Sequence, residues 1–204
     1  MEYMAQSIEN KILSRIYGRG RGWAFTKTDF ITEFGKANIH KALSSLARSG
    51  KIRRVFRGVY DYPRQSQSLG KTLSPDIDQV AQARKFNWRI LPSGDTALNL
   101  LGLSTQVPGR WVYLSDGPTR QYKIGKQTLV FRNSALKEIG FKRRKSGLVV
   151  QALKALGKER VDQNTIEVIR KQMDPKDYKH ILKDTRSVTD WIYQFIKQIC
   201  RERD

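Results

Sequence analysis

The sequence contains one pair of carboxylates at a spacing suited to metal chemistry. Asp76 and Asp78 form an Asp-x-Asp pair, an arrangement that can bind Mg²⁺ in a nucleotidyl transferase. The glycine-serine phosphate loop that normally precedes such a pair is absent, and Gly70-Lys71-Thr72 matches only the tail of a phosphate loop. Ser74-Pro75 instead favours the start of a helix, where the helix dipole stabilises aspartate. We therefore interpret both carboxylates as helix-start residues.

Two further groups contain residue types found in hydrolases. Ser93 lacks a histidine at a position that indicates a catalytic triad, and Ser93-Gly94-Asp95 is typical of a helix cap. Asp162, Glu167 and Lys171 resemble a loose nuclease trio, but they fall on a predicted helix at ordinary surface spacing. One cysteine and two distant histidines do not make a thiolate zinc site. We predict no enzymatic activity, no catalytic residue, no metal and no cofactor.

The charge of the chain favours binding to a polyanion. Lys and Arg number 39 against 19 Asp and Glu in 204 residues, giving a net charge of +20. Such an excess is most often a signature of nucleic-acid binding. Residues 1–62 hold 12 basic and 5 acidic residues, and the rest hold 27 and 14, so charge alone does not locate the binding surface.

The same composition bears on location. No apolar run approaches the roughly 18 residues of a membrane span, and the N-terminus lacks the pattern of a signal peptide. The lone thiol of Cys200 fits a reducing compartment. We therefore predict a cytoplasmic protein that does not bind membranes.

The first part of the chain has the order helix, helix, helix, hairpin. Apolar residues recur at helical spacing over about residues 8–16, 30–34 and 36–48, and strand character follows over 51–62. Gly58 suits a tight turn between the two strands. This order within about 60 residues predicts a winged helix-turn-helix DNA-binding domain over residues 1–62.

The predicted DNA-binding residues lie on the third helix, on the hairpin and in the preceding Arg-Gly run. Burial of Ile39, Leu43 and Leu46 leaves the opposite face of the third helix small, amide and basic, without a carboxylate. Asn pairs with adenine, and Lys and Arg pair with guanine or phosphate. The predicted contacts are Arg19, Arg21, Lys36, Asn38, Lys41, Ser44, Ser45, Arg48, Arg53, Arg54 and Arg57. Two alternatives stay open: a merely solvated helix face, and a winged helix that binds protein.

The remainder predicts a second domain after a polar linker. Residues 63–73 are punctuated by Pro, Gly and Ser, which predicts the linker. Residues 74–204 combine short strands, including a hairpin around Gly125-Lys126, with a helical C-terminal part. The chain is therefore predicted to be α+β, with a C-terminal binding or dimerising domain. A second candidate basic patch precedes a helix in this domain and consists of Lys142, Arg143, Arg144 and Lys145.

Several segments together resemble the AbiEi-like antitoxins of type IV abortive-infection toxin–antitoxin modules. In the first domain these segments are Gly22-Trp23-Ala24-Phe25-Thr26, Ala42-Leu43-Ser44-Ser45-Leu46, Gly50-Lys51-Ile52-Arg53-Arg54 and residues 57–63. In the second domain they are Leu91-Pro92-Ser93-Gly94, residues 100–108 and residues 113–118. The likeness spans about residues 8–160, and the stretch 91–118 is its most distinctive part.

The resemblance implies a function beyond what spacing alone indicates. The N-terminal domain would bind inverted repeats upstream of its own operon and repress it. The C-terminal domain would counteract a nucleotidyltransferase-type toxin, without a requirement for a stable complex. A homodimer fits the two-fold symmetry of inverted repeats. The alternative is a protein-interaction antitoxin or regulator whose basic surface binds an acidic partner directly.

Overall fold

The computed structural model describes residues 7–68 and 70–201, except for the side chains of residues 36 and 37. The chain divides into two units, residues 1–86 and 87–204, and both combine helices with antiparallel strands. The mixed α+β class predicted from the sequence is confirmed. Every helix among the described residues is too short or too polar to cross a lipid bilayer.

Helix α1 (Ile8–Arg19) opens the first unit because Ser7 caps it. The Ser7 hydroxyl accepts a hydrogen bond from the Asn10 amide at 3.3 Å. Ile12, Leu13 and Ile16 recur at helical spacing and are buried. Their burial fixes one face of α1 against the core of the unit.

Two more helices follow α1 and pack with it in the first unit. Helix α2 (Ile31–Phe34) follows a short 3₁₀ turn, in which Thr26 and Asp29 form a reciprocal capping box. Helix α3 (Lys36–Arg48) begins directly after Gly35 and has the bounds that the sequence predicts. Their apolar side chains pack with those of α1 into one core, which includes Phe25, Phe30, Ile39, Leu43 and Leu46.

A three-stranded sheet closes this core. Strands β1 (Ala24–Phe25), β2 (Arg53–Phe56) and β3 (Val59–Asp61) lie in the order β1-β3-β2, and all neighbours are antiparallel. The predicted hairpin corresponds to β2 and β3, with Gly58 at φ 84° in its turn. The sequence analysis did not identify β1, because two residues are too short to show an alternating pattern.

The first unit extends beyond the predicted linker. Residues 63–73 contain a second hairpin, with strand β4 (Gln65–Ser66) paired to strand β5 (Lys71–Thr72). Helix α4 (Ile77–Arg84) then packs on β1 and β3 and buries Ile77, Val80 and Ala81. The boundary therefore lies after Phe86, and the predicted division at 63–73 is corrected, because polar turn residues here belong to a hairpin.

A four-stranded sheet forms the centre of the second unit. Strands β6 (Ile90–Pro92), β7 (Arg110–Ser115), β8 (Arg120–Ile124) and β9 (Gln127–Asn133) lie in the order β6-β7-β9-β8. Strands β8 and β9 form the predicted hairpin around Gly125-Lys126. Strand β9 also pairs in parallel with β7, so β8 forms an edge of the sheet.

Six helices complete the second unit, as far as the structure describes it. They are α5 (Asp95–Leu100), α6 (Leu136–Ile139), α7 (Arg144–Leu156), α8 (Gln163–Lys171), α9 (Tyr178–Asp184) and α10 (Asp190–Ile199). Gly94, not Ser93, is the N-cap of α5, since Ser93 is buried and its amide bonds to Val112. The Arg170 guanidinium on α8 donates to the Ile199 and Gln198 carbonyls at the end of α10, at 3.1 and 2.6 Å. These bonds fasten the last helix to the bundle.

Candidate nucleic-acid interface

Helix α3 presents one apolar and one polar face. Ile39, Ala42, Leu43 and Leu46 point into the core of the first unit and are at most 4% exposed. The 3.6-residue period of the helix then directs the intervening residues outward. Asn38, Lys41 and Arg48 are exposed, and Ser44 and Ser45 are half-buried.

An open groove lies along this polar face and reaches the hairpin. Its volume is about 860 Å³. The lining residues are Glu9, His40, Lys41, Ser44, Ser45, Ala47, Arg48, Arg54 and Tyr60. Five of the predicted DNA contacts, four from α3 and one from β2, are thus brought together by the fold.

The cations of the groove are available to a ligand. Lys41, Arg48 and Arg54 are all exposed, and none of them forms an ion pair with a carboxylate among the described residues. Glu9, in the first turn of α1, is the one carboxylate among the residues that line the groove. Free guanidinium and ammonium groups beside hydroxyls suit an oxyanion such as a phosphate.

Arg57 extends the basic surface at the tip of the hairpin. It precedes Gly58 in the turn between β2 and β3, and its side chain is exposed. It does not line the groove. A guanidinium at an exposed turn can reach a phosphate backbone beside the groove.

Arg53 is not a free cation, which corrects its assignment as a DNA contact. Its Nε and Nη2 donate to the Asp61 carboxylate at 2.9 and 2.5 Å, and its Nη1 donates to the Leu73 carbonyl at 2.7 Å. Asp61 is 1% exposed. Arg53 and Asp61 are partners in the register of β2 and β3, so this arginine neutralises a buried carboxylate.

The two arginines of the Arg-Gly run pack partly on aromatic rings. The guanidinium of Arg19 lies 5.7 Å from the Trp23 ring centroid, and that of Arg21 lies 4.5 Å from the Tyr62 ring centroid. Arg21 Nη1 also donates to the Pro63 carbonyl at 2.8 Å. Both side chains are exposed and are fixed by these contacts at the surface of the first unit. Neither of them lines the groove.

Two further predicted contacts on α3 are Asn38 and Lys36. Asn38 is exposed near the start of the helix but is not among the lining residues. The prediction for Lys36 concerns a side chain outside the described residues.

The second candidate basic patch is partly neutralised. Arg143 and Lys145 form ion pairs with Asp177, at 3.1 and 3.2 Å. The backbone amides of Lys142 and Arg143 donate to the Asp184 carboxylate at 2.9 and 3.0 Å. Arg144 also has an interaction partner. Two of the four cations, Arg143 and Lys145, are thus ion-paired at the start of α7.

The carboxylates considered for catalysis have structural roles. Asp76 caps α4 and accepts from the Asp78 and Gln79 amides at 3.1 and 3.2 Å. Asp162 caps α8, where its hydrogen bonds with Thr165 lower the pKa of its carboxyl. Among the described residues, no group of three or more His, Cys, Asp or Glu side chains is placed to hold a metal ion. Burial raises the pKa of the Cys200 thiol to about 11, which keeps it protonated and unreactive.

Sequence reasoning missed four residues of the groove, Glu9, His40, Ala47 and Tyr60. His40 lies four residues before Ser44, so helical periodicity places both on one side of α3 and could have identified it. Glu9 and Tyr60 belong to other elements, and only the tertiary packing brings them to the groove. No local pattern reports such contacts.

The fold and the groove together define a small α+β protein with a basic surface groove between a helix and a hairpin. The chain belongs to the family of unknown function DUF6088, whose model matches residues 11–181. No curated protein matches the chain. The crystal structure of the Rv2827c protein from Mycobacterium tuberculosis is similar, with a TM-score of 0.42 and 15% identity. The match covers 93% of this chain and 74% of that one.

Proposed function

We propose that the first unit is a winged helix-turn-helix that binds double-stranded DNA sequence-specifically. Helix α3 enters the major groove as the recognition helix, and the hairpin of β2 and β3 is the wing. The observation that carries this proposal is the groove in which Lys41, Ser44, Ser45 and Arg48 of α3 meet Arg54 of β2. A major groove about 12 Å wide accepts a helix, and the cations beside it contact the flanking phosphates.

The polar groups divide between base edges and backbone. Lys41 and Asn38, near the start of α3, reach base edges, since side chains of that part of a recognition helix enter the groove most deeply. Arg48 in the last turn, Arg54 and Arg57 contact phosphates, which set the register of the protein on the duplex. The hydroxyls of Ser44 and Ser45, on short side chains, donate hydrogen bonds to base edges or to phosphates.

The biological role is that of an autorepressor and antitoxin. The segments that resemble AbiEi-like antitoxins lie in both units, which supports repression of the chain's own operon from inverted repeats. The second unit counteracts a nucleotidyltransferase-type toxin and has no enzymatic activity of its own. The protein acts in the cytoplasm, and a homodimer matches the symmetry of inverted repeats. Co-expression with such a toxin from the same operon tests the antitoxin role: growth is restored, and unrelieved toxicity contradicts it.

Fluorescence anisotropy across a salt series tests the DNA-binding role. The DNA upstream of the gene is compared with a shuffled duplex of equal composition. A net charge of +20 ensures some binding at low salt, so the informative quantity is the ratio between the two duplexes near physiological salt. We expect a preference of about 10³ or more for the upstream duplex. Equal binding that disappears with salt contradicts the proposal and favours the acidic protein partner.

A double variant tests which surface reads the DNA. Lys41→Ala with Arg54→Ala removes two cations from the groove, and we expect about a 100-fold loss of affinity for the upstream duplex. The matched control is Lys71→Ala with Arg186→Ala, which removes two exposed cations outside the groove. Unfolding curves of both variants should equal that of the parent. If the two variants lose affinity equally, the groove does not read the DNA.

A further inference from the structure

One face of the second sheet combines cations from three strands. The register pairs Arg110 of β7 with Thr128 of β9, and Thr128 with Lys123 of β8. Paired residues of neighbouring strands share a face, so Arg110, Thr128 and Lys123 form one row across the sheet. Arg132 lies on the same face, four residues further along β9.

The helices of the second unit cover only part of this face. Leu114 is the register partner of Arg132 on β7 and belongs to a buried cluster with Leu91 and Ile139. Gly147 of α7 lies directly against the Leu91 side chain. The part of the face formed by β8 and β9 is exposed at Gln121, Lys123 and Arg132.

The three cations on this face are not ion-paired. Arg110, Lys123 and Arg132 are exposed, and none has a carboxylate partner among the described residues. The neighbouring positions on the same face of β8 and β9 are Gln121, Thr128 and Val130, none of which is acidic. Thr128 of β9 lies between Arg110 and Lys123, so the three cations are spaced across the face and none is directly opposite another.

We infer that this sheet face, the Arg110–Lys123–Arg132 triad, binds the phosphate backbone of duplex DNA as a second contact site. The inference rests on the proposed function, because duplex DNA is the ligand of both sites. Strands lie about 4.8 Å apart, so Arg110 and Lys123 are about 10 Å apart across the sheet. Arg132 is about 13 Å along the strand from the row, at about 3.3 Å per residue. The three cations are thus far enough apart to contact separate phosphates of the duplex backbone.

The triad contributes affinity without sequence preference. Its side chains lie on a flat sheet face and can reach phosphate oxygens, whereas base edges are read from within a groove. Loss of the triad is therefore expected to weaken binding to every duplex by the same factor. Loss of Lys41 is expected to lower the preference for the upstream duplex instead.

A triple variant of the full chain that replaces the three cations by neutral side chains tests the inference. Arg110→Gln, Lys123→Gln and Arg132→Gln remove the three cations and keep polar side chains of similar reach. The matched control is Lys179→Gln, Lys183→Gln and Arg186→Gln, which removes three exposed cations on or after α9. Both variants change the net charge equally, so a difference between them reports position. Anisotropy with the upstream and shuffled duplexes is measured across a salt series.

We expect the triad variant to reduce the slope of log affinity against log salt by about 3, because each of the three cations neutralises one phosphate. The control variant should change that slope by less than about 1. Equal effects of the two variants overturn the inference. That result leaves the proposed function intact as long as the parent prefers the upstream duplex. If the parent shows no preference for the upstream duplex but the triad variant still reduces the salt slope, only the proposed function is contradicted. The triad then binds DNA without sequence preference.

Discussion

Two basic regions of the molecule, the α3 groove and the stretch 142–145 before α7, look alike in sequence but differ in their partners. In the groove, Lys41 and Arg48 are exposed and free of carboxylate partners among the described residues. In the second region, the Asp177 carboxylate forms ion pairs with both Arg143 and Lys145. The comparison shows that two basic regions of one chain differ in whether carboxylates of the fold pair with their cations.

The same difference separates two adjacent residues of β2. Arg54 lines the groove, whereas Arg53 is held by Asp61 and the Leu73 carbonyl. Successive strand residues point to opposite sides, so one arginine meets the solvent and the other meets the interior. Position within the fold therefore leaves Arg54 exposed at the groove and ties Arg53 to a buried carboxylate.

The largest effect that we expect is on stability. Arg53→Ala leaves the Asp61 carboxylate buried without its partner, and we expect the free energy of unfolding to fall by about 3 kcal/mol. Arg54→Ala should change the free energy of unfolding by less than about 0.5 kcal/mol, because its side chain is exposed. Urea denaturation of both variants measures the difference.

Two more variants make this test specific to the ion pair. Arg53→Lys keeps the charge but cannot donate two parallel hydrogen bonds to the carboxylate, so we expect it to remain clearly less stable than the parent. The double variant Arg53→Ala with Asp61→Ala should recover part of the stability, since it removes the uncompensated carboxylate. If Arg53→Ala has the same free energy of unfolding as the parent, the Arg53–Asp61 ion pair does not stabilise the hairpin.

The sequence predicted those parts of the fold that depend on local patterns. Helix α3 has the predicted bounds because Gly35 and Gly50 flank a clear apolar stripe. The hairpin of β8 and β9 was predicted because a two-residue turn fixes its register. Four of the six α3 residues that line the groove, Lys41, Ser44, Ser45 and Arg48, followed from helical periodicity alone.

The parts that could not be predicted depend on contacts between distant residues. The parallel pairing of β7 with β9 joins strands separated by a third, and no local pattern reports it. The unit boundary was misplaced because the turn residues of the hairpin β4–β5 have the composition of a linker. Asp177 and Asp184 lie more than thirty residues from the stretch that they contact, so the sequence alone overstated its free charge.

A smaller effect on stability is expected at the start of α7. Asp184→Ala removes the carboxylate that accepts two backbone amides, those of Lys142 and Arg143. We expect a loss of about 2 kcal/mol, in keeping with hydrogen bonds to a charged acceptor. Asp184→Asn retains one acceptor oxygen and should lose less. Equal stabilities of the parent and Asp184→Ala in denaturation would mean that these bonds do not hold the segment.

The smallest effect is expected from releasing the paired cations of the second region. Asp177→Asn frees Arg143 and Lys145 without removing a positive charge, so it converts a structural stretch into one that resembles the groove. Binding to a shuffled duplex should then strengthen a few-fold at low salt, and the salt slope should steepen by up to about 2. The control Asp95→Asn changes the net charge equally at an exposed carboxylate of α5. If the slope steepens in Asp177→Asn but not in Asp95→Asn, the availability of Arg143 and Lys145 determines the non-specific binding. The same slope in both variants means that net charge, rather than the pairing of particular cations, governs non-specific binding.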